Sequence, residues 1–390
     1  MPSFLTFPGG SLEIAIDPER LLVDWQGPPG KTGSEVADDV RARIESPPGF
    51  PALGLAVVAG DRVIIALDAD LPCIAEILAP VVIELEAAGI RREDIVVMSS
   101  GDSEAVSPST LPPGIRHIRH DPEDATTHAY LATTESGKRI YLNREDVEAD
   151  FVLPIGLILP DAHAGIRGPW TSIYPGLRGI AEGVEPSPEP LPDVLLEEST
   201  EVGWLLGNLF QIGVIPGVTG VAEILAGPAA SVLELGTERI NALWTIHATE
   251  RADLVAVSVG DASSLDALWS ALGVGASLVR RGGKVVAISS SKGTLGPAAC
   301  RLLGEEIPGP SCLRGAENEP DYLPAKALAT ALAWADLYVF SAYDPDVLED
   351  LGIIPLSKLS EAKRLIASAN DVAIINHAEW TRVKLVEDDS

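Results

Sequence analysis

The chain has 390 residues, 46% of them hydrophobic and 22% charged, the composition of a globular protein long enough to build two cores. With 28 Lys and Arg against 57 Asp and Glu the formal charge is −29, so the surface field repels polyanions and excludes nucleic acid and anionic membranes as expected partners. Three scattered cysteines, Cys73, Cys300 and Cys312, form no CxxC pair, which argues against a disulfide framework and a Cys-rich zinc site. The opening residues MPSFLTFPGG lack a basic region followed by an apolar core, and no apolar run reaches the roughly eighteen residues of a membrane span. A cytoplasmic location is expected.

Short β-branched runs alternate with helix-period segments, the pattern of a parallel α/β sheet. Arg62 to Asp68 predicts the first clear strand. Ile74 to Ala88 predicts a helix with Ile74, Ile77, Leu78, Val81, Val82 and Leu85 on one face. Pro80 is expected to kink or shorten it, and Gly89 to end it. Asp94 to Met98 predicts the next strand and completes a right-handed βαβ unit. Residues 117–141 read as polar loops with a short hairpin, and Phe151 to Leu159 as a strand. Glu182 to Pro192 is Pro-rich and acidic, an exposed loop or linker, and Phe210 to Val221 suits strands and tight turns.

A second series begins near residue 250. Strands are expected at Asp253 to Ser258, Lys284 to Ser289, Asp336 to Ser341 and Asp371 to Asn376. Helices are expected at Ser264 to Val279, Ala325 to Trp334 and Ser360 to Ala369, with a turn at Gly282-Gly283. The expected fold is α/β in two domains, each a largely parallel sheet flanked by helices, with a ligand-binding cleft between them. The division is placed at residues 1–240 and 241–390, within the stretch from Leu235 to Arg251, with the last residues able to pack back on the first domain.

Two stretches imitate known motifs. Gly27-Pro28-Pro29-Gly30-Lys31-Thr32 looks like a phosphate loop, but the required first glycine falls at Trp25 and two prolines remove amide donors. A surface turn is expected. Ser289-Ser290-Ser291-Lys292 has an SxxK spacing, yet it ends a strand instead of opening a helix. That loop would face a ligand cleft, which makes Lys292 a binding candidate. His117 and His120 read as part of a charged loop with Arg116 and Arg119, and no histidine spacing suits a metal.

In open parallel sheets, ligands bind outside the carboxyl ends of the strands. Three such ends carry polar groups: Asp68 and Asp70, Ser100 and Asp102, Asp161 and His163. Neighbouring strands would let them converge as an acid/base set or a site for a hard divalent cation. Each alone also suits a helix cap or turn. Asp102, Asp161 and His163 are the candidate catalytic residues. Asp68, Asp70, Ser100, Thr171 and Lys292 are the candidate ligand-binding residues, with the metal, if any, undefined.

The apolar run FVLPIGLIL leads into PDAHAGIRGPWTSIYPG, residues 160–176, thick with Gly and Pro and closing on Tyr174-Pro175-Gly176. This stretch resembles the central motif of the nickel-dependent lactate racemase family. Gly60 to Asp70, Asp94 to Asp102, Asn143-Arg144, Val147 to Asp150 and Asp253 to Gly283 resemble further parts of the family pattern in the same order. The resemblance implies a 2-hydroxy-acid racemase or epimerase. In the family, a lysine of this loop bonds a nickel pincer nucleotide and two histidines exchange a proton while hydride passes to the pincer ring.

Laid on the motif without gaps, Thr171 takes the place of that lysine and Asp161 that of a histidine, with His163 displaced by two residues. Leu71 stands where the family has the arginine that meets the substrate carboxylate, and Asp102 and Ser103 stand near its other histidine. The stretch from Gly176 to Gly207 offers no nickel histidine, and the family's Gln and Lys are missing from Asp261 to Leu272. Aspartates in place of histidines have far lower reference pKa values and hold the wrong charge for a neutral-pH base. The expectation is therefore a lactate-racemase-like protein, an isomerase if an enzyme, with activity altered or lost and any nickel pincer nucleotide not covalently bound. A non-catalytic hydroxy-acid or sugar-acid binder is the alternative, and a divalent-metal hydrolase or lyase a weaker one.

Overall fold

The computed structural model describes residues 3–100, 106–107, 109–135, 137–161, 165–180, 192–207, 210–260 and 264–386. The chain opens with the antiparallel hairpin β1 (Ser3–Phe7) and β2 (Gly10–Ile14), then β3 (Leu21–Trp25), α1 (Ser34–Glu45), β4 (Val63–Leu67), α2 (Ile74–Ala87), β5 (Ile95–Ser100) and β6 (Arg116–His120). The hairpin β7 (His128–Thr133) and β8 (Arg139–Asn143) leads through α3 (Arg144–Val147) to β9 (Phe151–Leu157), β10 (Leu159–Asp161) and β11 (Gly165–Arg167). Next come α4 (Pro192–Leu205), β12 (Gln211–Pro216), β13 (Val221–Gly227), α5 (Ala229–Leu243), β14 (Thr245–Ala248), β15 (Ala252–Ser258), α6 (Leu265–Leu278) and β16 (Val279–Ile288). The chain continues with α7 (Tyr322–Leu332), β17 (Asp336–Phe340), α8 (Pro345–Asp350), β18 (Ile354–Pro355), α9 (Leu359–Ser368), β19 (Val372–Ile375) and β20 (Arg382–Leu385).

Two compact units result. One comprises Pro28–Leu159 and Ala164–Ile240, and the other Met1–Gly27, Pro160–His163 and Asn241–Ser390. The first holds a six-stranded sheet in the order β13-β12-β9-β4-β5-β6, parallel except for β13. Strand alternation explains its layers. Ile64 and Ala66, Val96 and Met98, and Val152 pack on one face with Ile140, Leu142, Ile173, Tyr174 and Val202. The intervening Val63, Ile65 and Leu67 are equally buried. α1 and α2 pack on each other within this unit. α2 runs through Pro80 and is not shortened by it. Proline removes one helical bond there, while seven buried residues, Pro80 among them, hold the helix in place. Gly89, at φ +97°, ends it as the sequence indicates.

The second unit holds the parallel sheet β18-β17-β16-β15-β19-β3. Val255 and Val257 face α6 and α7, while Leu254 and Ala256 face the β1–β2 hairpin and α9. The first residues, expected within a domain of residues 1–240, thus pair through β3 with β19. The final strand, β20, pairs with β14 of this same unit. The predicted turn at Gly282-Gly283 lies within an irregular β16, where Ala252 pairs with Val279 but Leu254 with Lys284. No helix among the described residues is long and apolar enough to cross a membrane.

The stretch Gly27 to Thr32 is a turn, but a pinned one. Lys31 exchanges both backbone bonds with Val221, at 2.7 and 2.9 Å, and Pro28 accepts from the Val218 amide at 2.9 Å. A Cβ on Gly30 would overlap the Thr219 carbonyl. Gly30→Ala is expected to destabilise by about 1–3 kcal/mol, read as a fall in the urea midpoint, because backbone on both sides must shift. An unchanged midpoint would show the turn to be loosely held.

Candidate active site of the first unit

The carboxyl ends of β4 and β9 carry a dense polar arrangement. The β4–β9 ladder continues one step past the strand, with the Asp68 amide donating to Ile155 at 2.9 Å. That step turns the buried Asp68 carboxylate toward Arg167 at the end of β11. It accepts from the Asp70 amide at 3.1 Å, the Leu157 amide at 3.3 Å and the Arg167 guanidinium at 2.7 Å. The exposed Asp70 carboxylate stands 3.5 Å from the same guanidinium. A buried carboxylate with two amide donors and a cation is a well-satisfied charge. Arg167 was not evident from the sequence, where it sits inside the Gly-rich run AGIRGP without a pattern to mark it.

The loop beyond Arg167 is fitted tightly onto these strand ends. A Cβ on Gly156 would lie 2.9 Å from the Pro169 Cα and 3.6 Å from the Asp68 Cβ, so glycine allows the approach. Pro169–Ser172 forms a single 3₁₀ turn. The Ser172 hydroxyl lies 2.9 Å from the Ala66 carbonyl and 2.7 Å from that of Pro169. The Thr171 hydroxyl donates back to the Gly168 carbonyl at 2.7 Å, while its own carbonyl accepts from Gly176 at 3.0 Å. The following Tyr174 donates its hydroxyl to Glu198 at 2.9 Å, and Lys138 meets the same carboxylate at 2.7 and 2.9 Å. Burial raises the Tyr174 pKa, so its hydroxyl stays a donor.

The sequence candidates separate into groups. Asp68 and Asp70 come together through Arg167, and Thr171 lies on the loop packed over them. Ser100 ends β5 half-buried, opposite His120 in the ladder. Asp102 and His163 lie outside the described residues, and Asp161 is placed only as the last residue of β10. Lys292 belongs to the other unit, where it is exposed and bridges by backbone to Ser264. The serines before it are turned on each other, Ser289 to Ser291 at 2.6 Å. Among the described residues no three of His, Cys, Asp and Glu form a metal-holding group.

His117 and His120 do not lie in a loop. They belong to β6, an edge strand whose Arg-His-Ile-Arg-His sequence hides its β character. His117 Nε2 lies 2.9 Å from the Ser99 hydroxyl, and burial followed by the Arg119 charge lowers its pKa. His120 is buried between the Arg178 carbonyl at 2.9 Å and the Asn143 amide at 3.3 Å, with burial the main cause of its lowered pKa. His128 accepts from the Ile180 amide at 2.9 Å and donates to the Asp121 carbonyl at 3.1 Å. This pair of rings, 5.2 Å apart, ties the β7–β8 hairpin region to Arg178 and Ile180. His120-Asp121 is thus a structural clamp.

Residues 8–182 match the family model of the lactate racemase N-terminal domain. That stretch is lactate-racemase-like. The lactate racemase apoprotein from Thermoanaerobacterium thermosaccharolyticum matches at a TM-score of 0.72 and 17% identity, covering 98% of this chain and all of that one. A Thermotoga maritima protein matches at a TM-score of 0.62 and 10% identity, covering 91% of this chain and all of that one. At these identities the likeness speaks for the fold. No curated protein matches the chain. The lactate-racemase-like reading of residues 160–176 and the two-domain α/β expectation from the strand pattern agree with these matches.

Proposed function

We propose that this protein is a lactate-racemase-like binder of a small 2-hydroxy acid or sugar acid in which the family's lysine-tethered racemisation has been altered or lost. Thr171 carries this reading. It stands where the family's lysine aligns, it has no amine, and its hydroxyl is committed to the Gly168 carbonyl at 2.7 Å. Leu71, at the place of the family's carboxylate-binding arginine, is apolar and 5% exposed. The residues present do not fit a lysine-tethered nickel pincer nucleotide. What the strand ends offer is Arg167, a cation oriented by Asp68 whose planar fork suits a carboxylate.

Protein purified from its native host is the test, by intact mass, metal analysis and calorimetry with D- and L-lactate and a panel of sugar acids. The expected result is an unmodified mass, no stoichiometric nickel, and binding of one of these acids that weakens at least tenfold in Arg167→Gln. A cofactor adduct with stoichiometric nickel, or measurable racemisation of lactate, would overturn the reading.

A further inference from the structure

The second unit holds a cavity of about 360 Å³ at the amino ends of β15 and β19, far along the strands from the ends where α/β ligands usually bind. Its lining includes Arg280, Arg281 and Lys284, three cations within five residues of a chain that has only 28 against 57 acids. This concentration is built by the backbone. Between Val279 and Lys284, β16 makes six residues of chain against three of β15, so Arg280 to Gly283 bulge from the ladder. Gly282, at φ +74°, takes a backbone conformation that favours glycine, and a Cβ on Gly283 would lie 2.6 Å from the Asp253 carbonyl.

The three cations differ in what they face. Arg280 is neutralised by Asp253 at 2.6 Å, Asp371 at 2.9 Å and Glu250 at 3.8 Å, which makes it a brace of the cavity wall. Arg281 lies with its guanidinium 5.8 Å from the Trp334 ring, and neither it nor the half-buried Lys284 forms an ion pair among the described residues. The carboxyl end of α9 would turn partial negative charge toward the cavity. Arg20 answers it, donating to the Ala367 carbonyl at 2.9 Å, the Asn370 carbonyl at 3.2 Å, and that of Ala369. The half-buried Leu365 supplies an apolar wall, and Ser368 and Asn370 line the same cavity.

We propose that this cavity binds a small phosphorylated metabolite, its phosphate between Arg281 and Lys284 and its short organic body against Leu365. The volume lies at the small end of the roughly 300–1,000 Å³ of ligand pockets. A phosphate monoester concentrates nearly two charges on one group at neutral pH, matching the two cations that lack acid partners. The net charge of −29 repels such an anion at long range, but screening beyond about 8 Å leaves the local cations to decide.

The test is calorimetric titration of the full chain with glycerol phosphate, succinate and inorganic phosphate at physiological ionic strength, repeated on Arg281→Ala/Lys284→Ala. Saturable binding of glycerol phosphate, tighter than succinate and weakened at least tenfold in the double variant, is expected. Both positions are exposed or half-buried, so an unchanged melting temperature should accompany the loss. No saturable binding, equal affinity in the double variant, or a preference for succinate would overturn the assignment. A lactate-family ligand bound elsewhere would be insensitive to these two substitutions, which separates this site from the Asp68–Arg167 site.

Discussion

Asp146→Asn is expected to stabilise the protein by an amount that grows with pH. Asp146 is the third residue of α3, packed against β7 and β8 and 1% exposed, and neither carboxylate oxygen has a hydrogen-bond partner. Burial pushes its pKa from the ordinary 3.8 up to about 8. The folded chain therefore takes up a proton that the unfolded chain gives away. The contribution to stability is full below the ordinary value and is lost as pH rises toward about 8, at roughly 1.4 kcal/mol per unit. Asn keeps the shape and carries no proton to lose. Its advantage should be near zero at pH 4 and on the order of 4 kcal/mol at pH 7. Urea unfolding of both proteins between pH 5 and 8 measures it, and parallel curves would show that Asp146 is ionised and solvated in the fold.

Asp146 also shows where sequence reading stops. Nothing in the residue types from Asn143 to Glu148 separates it from the ion-paired Glu145 or the exposed Glu148, because burial is decided by the hairpin that closes over it. The central strands were legible for the opposite reason. β4, β9 and β19 are buried on both faces and are continuously apolar, as is β15 from Leu254 to Val257. β6 was not legible, since an edge strand can be Arg-His-Ile-Arg-His and still add a parallel partner to β5. The site divides along the same line. Asp68 was legible as a polar residue at a strand end, whereas Arg167 becomes meaningful only when Gly156 lets the Pro169 loop settle beside it. Thr171 drew notice only through the resemblance, which sets it at the family's lysine position, and its closed hydrogen bond to Gly168 could not be read from residue types.

Glu198→Ala is expected to cost about 2–4 kcal/mol and to loosen the loop that carries Thr171. The Glu198 side chain is 9% exposed and accepts two bonds from Lys138 and one from the Tyr174 hydroxyl, while the neighbouring Ser199 hydroxyl donates to the Tyr174 carbonyl at 2.9 Å. The Lys138 ammonium also lies 5.7 Å from the centre of the Tyr174 ring. Truncation would leave a half-buried ammonium and a buried phenol without their acceptor, and the cost of such orphaned groups exceeds the worth of the pair itself. The pair is a substitute for apolar packing that α4 could have supplied, so Lys138→Met/Glu198→Leu should recover more than half of the loss. Urea midpoints of Glu198→Ala and of the double variant decide this, together with the acid binding proposed for the Asp68–Arg167 site. Because Tyr174 follows Thr171 by three residues and Ser172 is held by the Ala66 carbonyl at the end of β4, loosening Tyr174 should weaken that binding as well. A Glu198→Ala protein of unchanged stability would mean that the Ser172 and Thr171 bonds alone hold the loop on the strand ends.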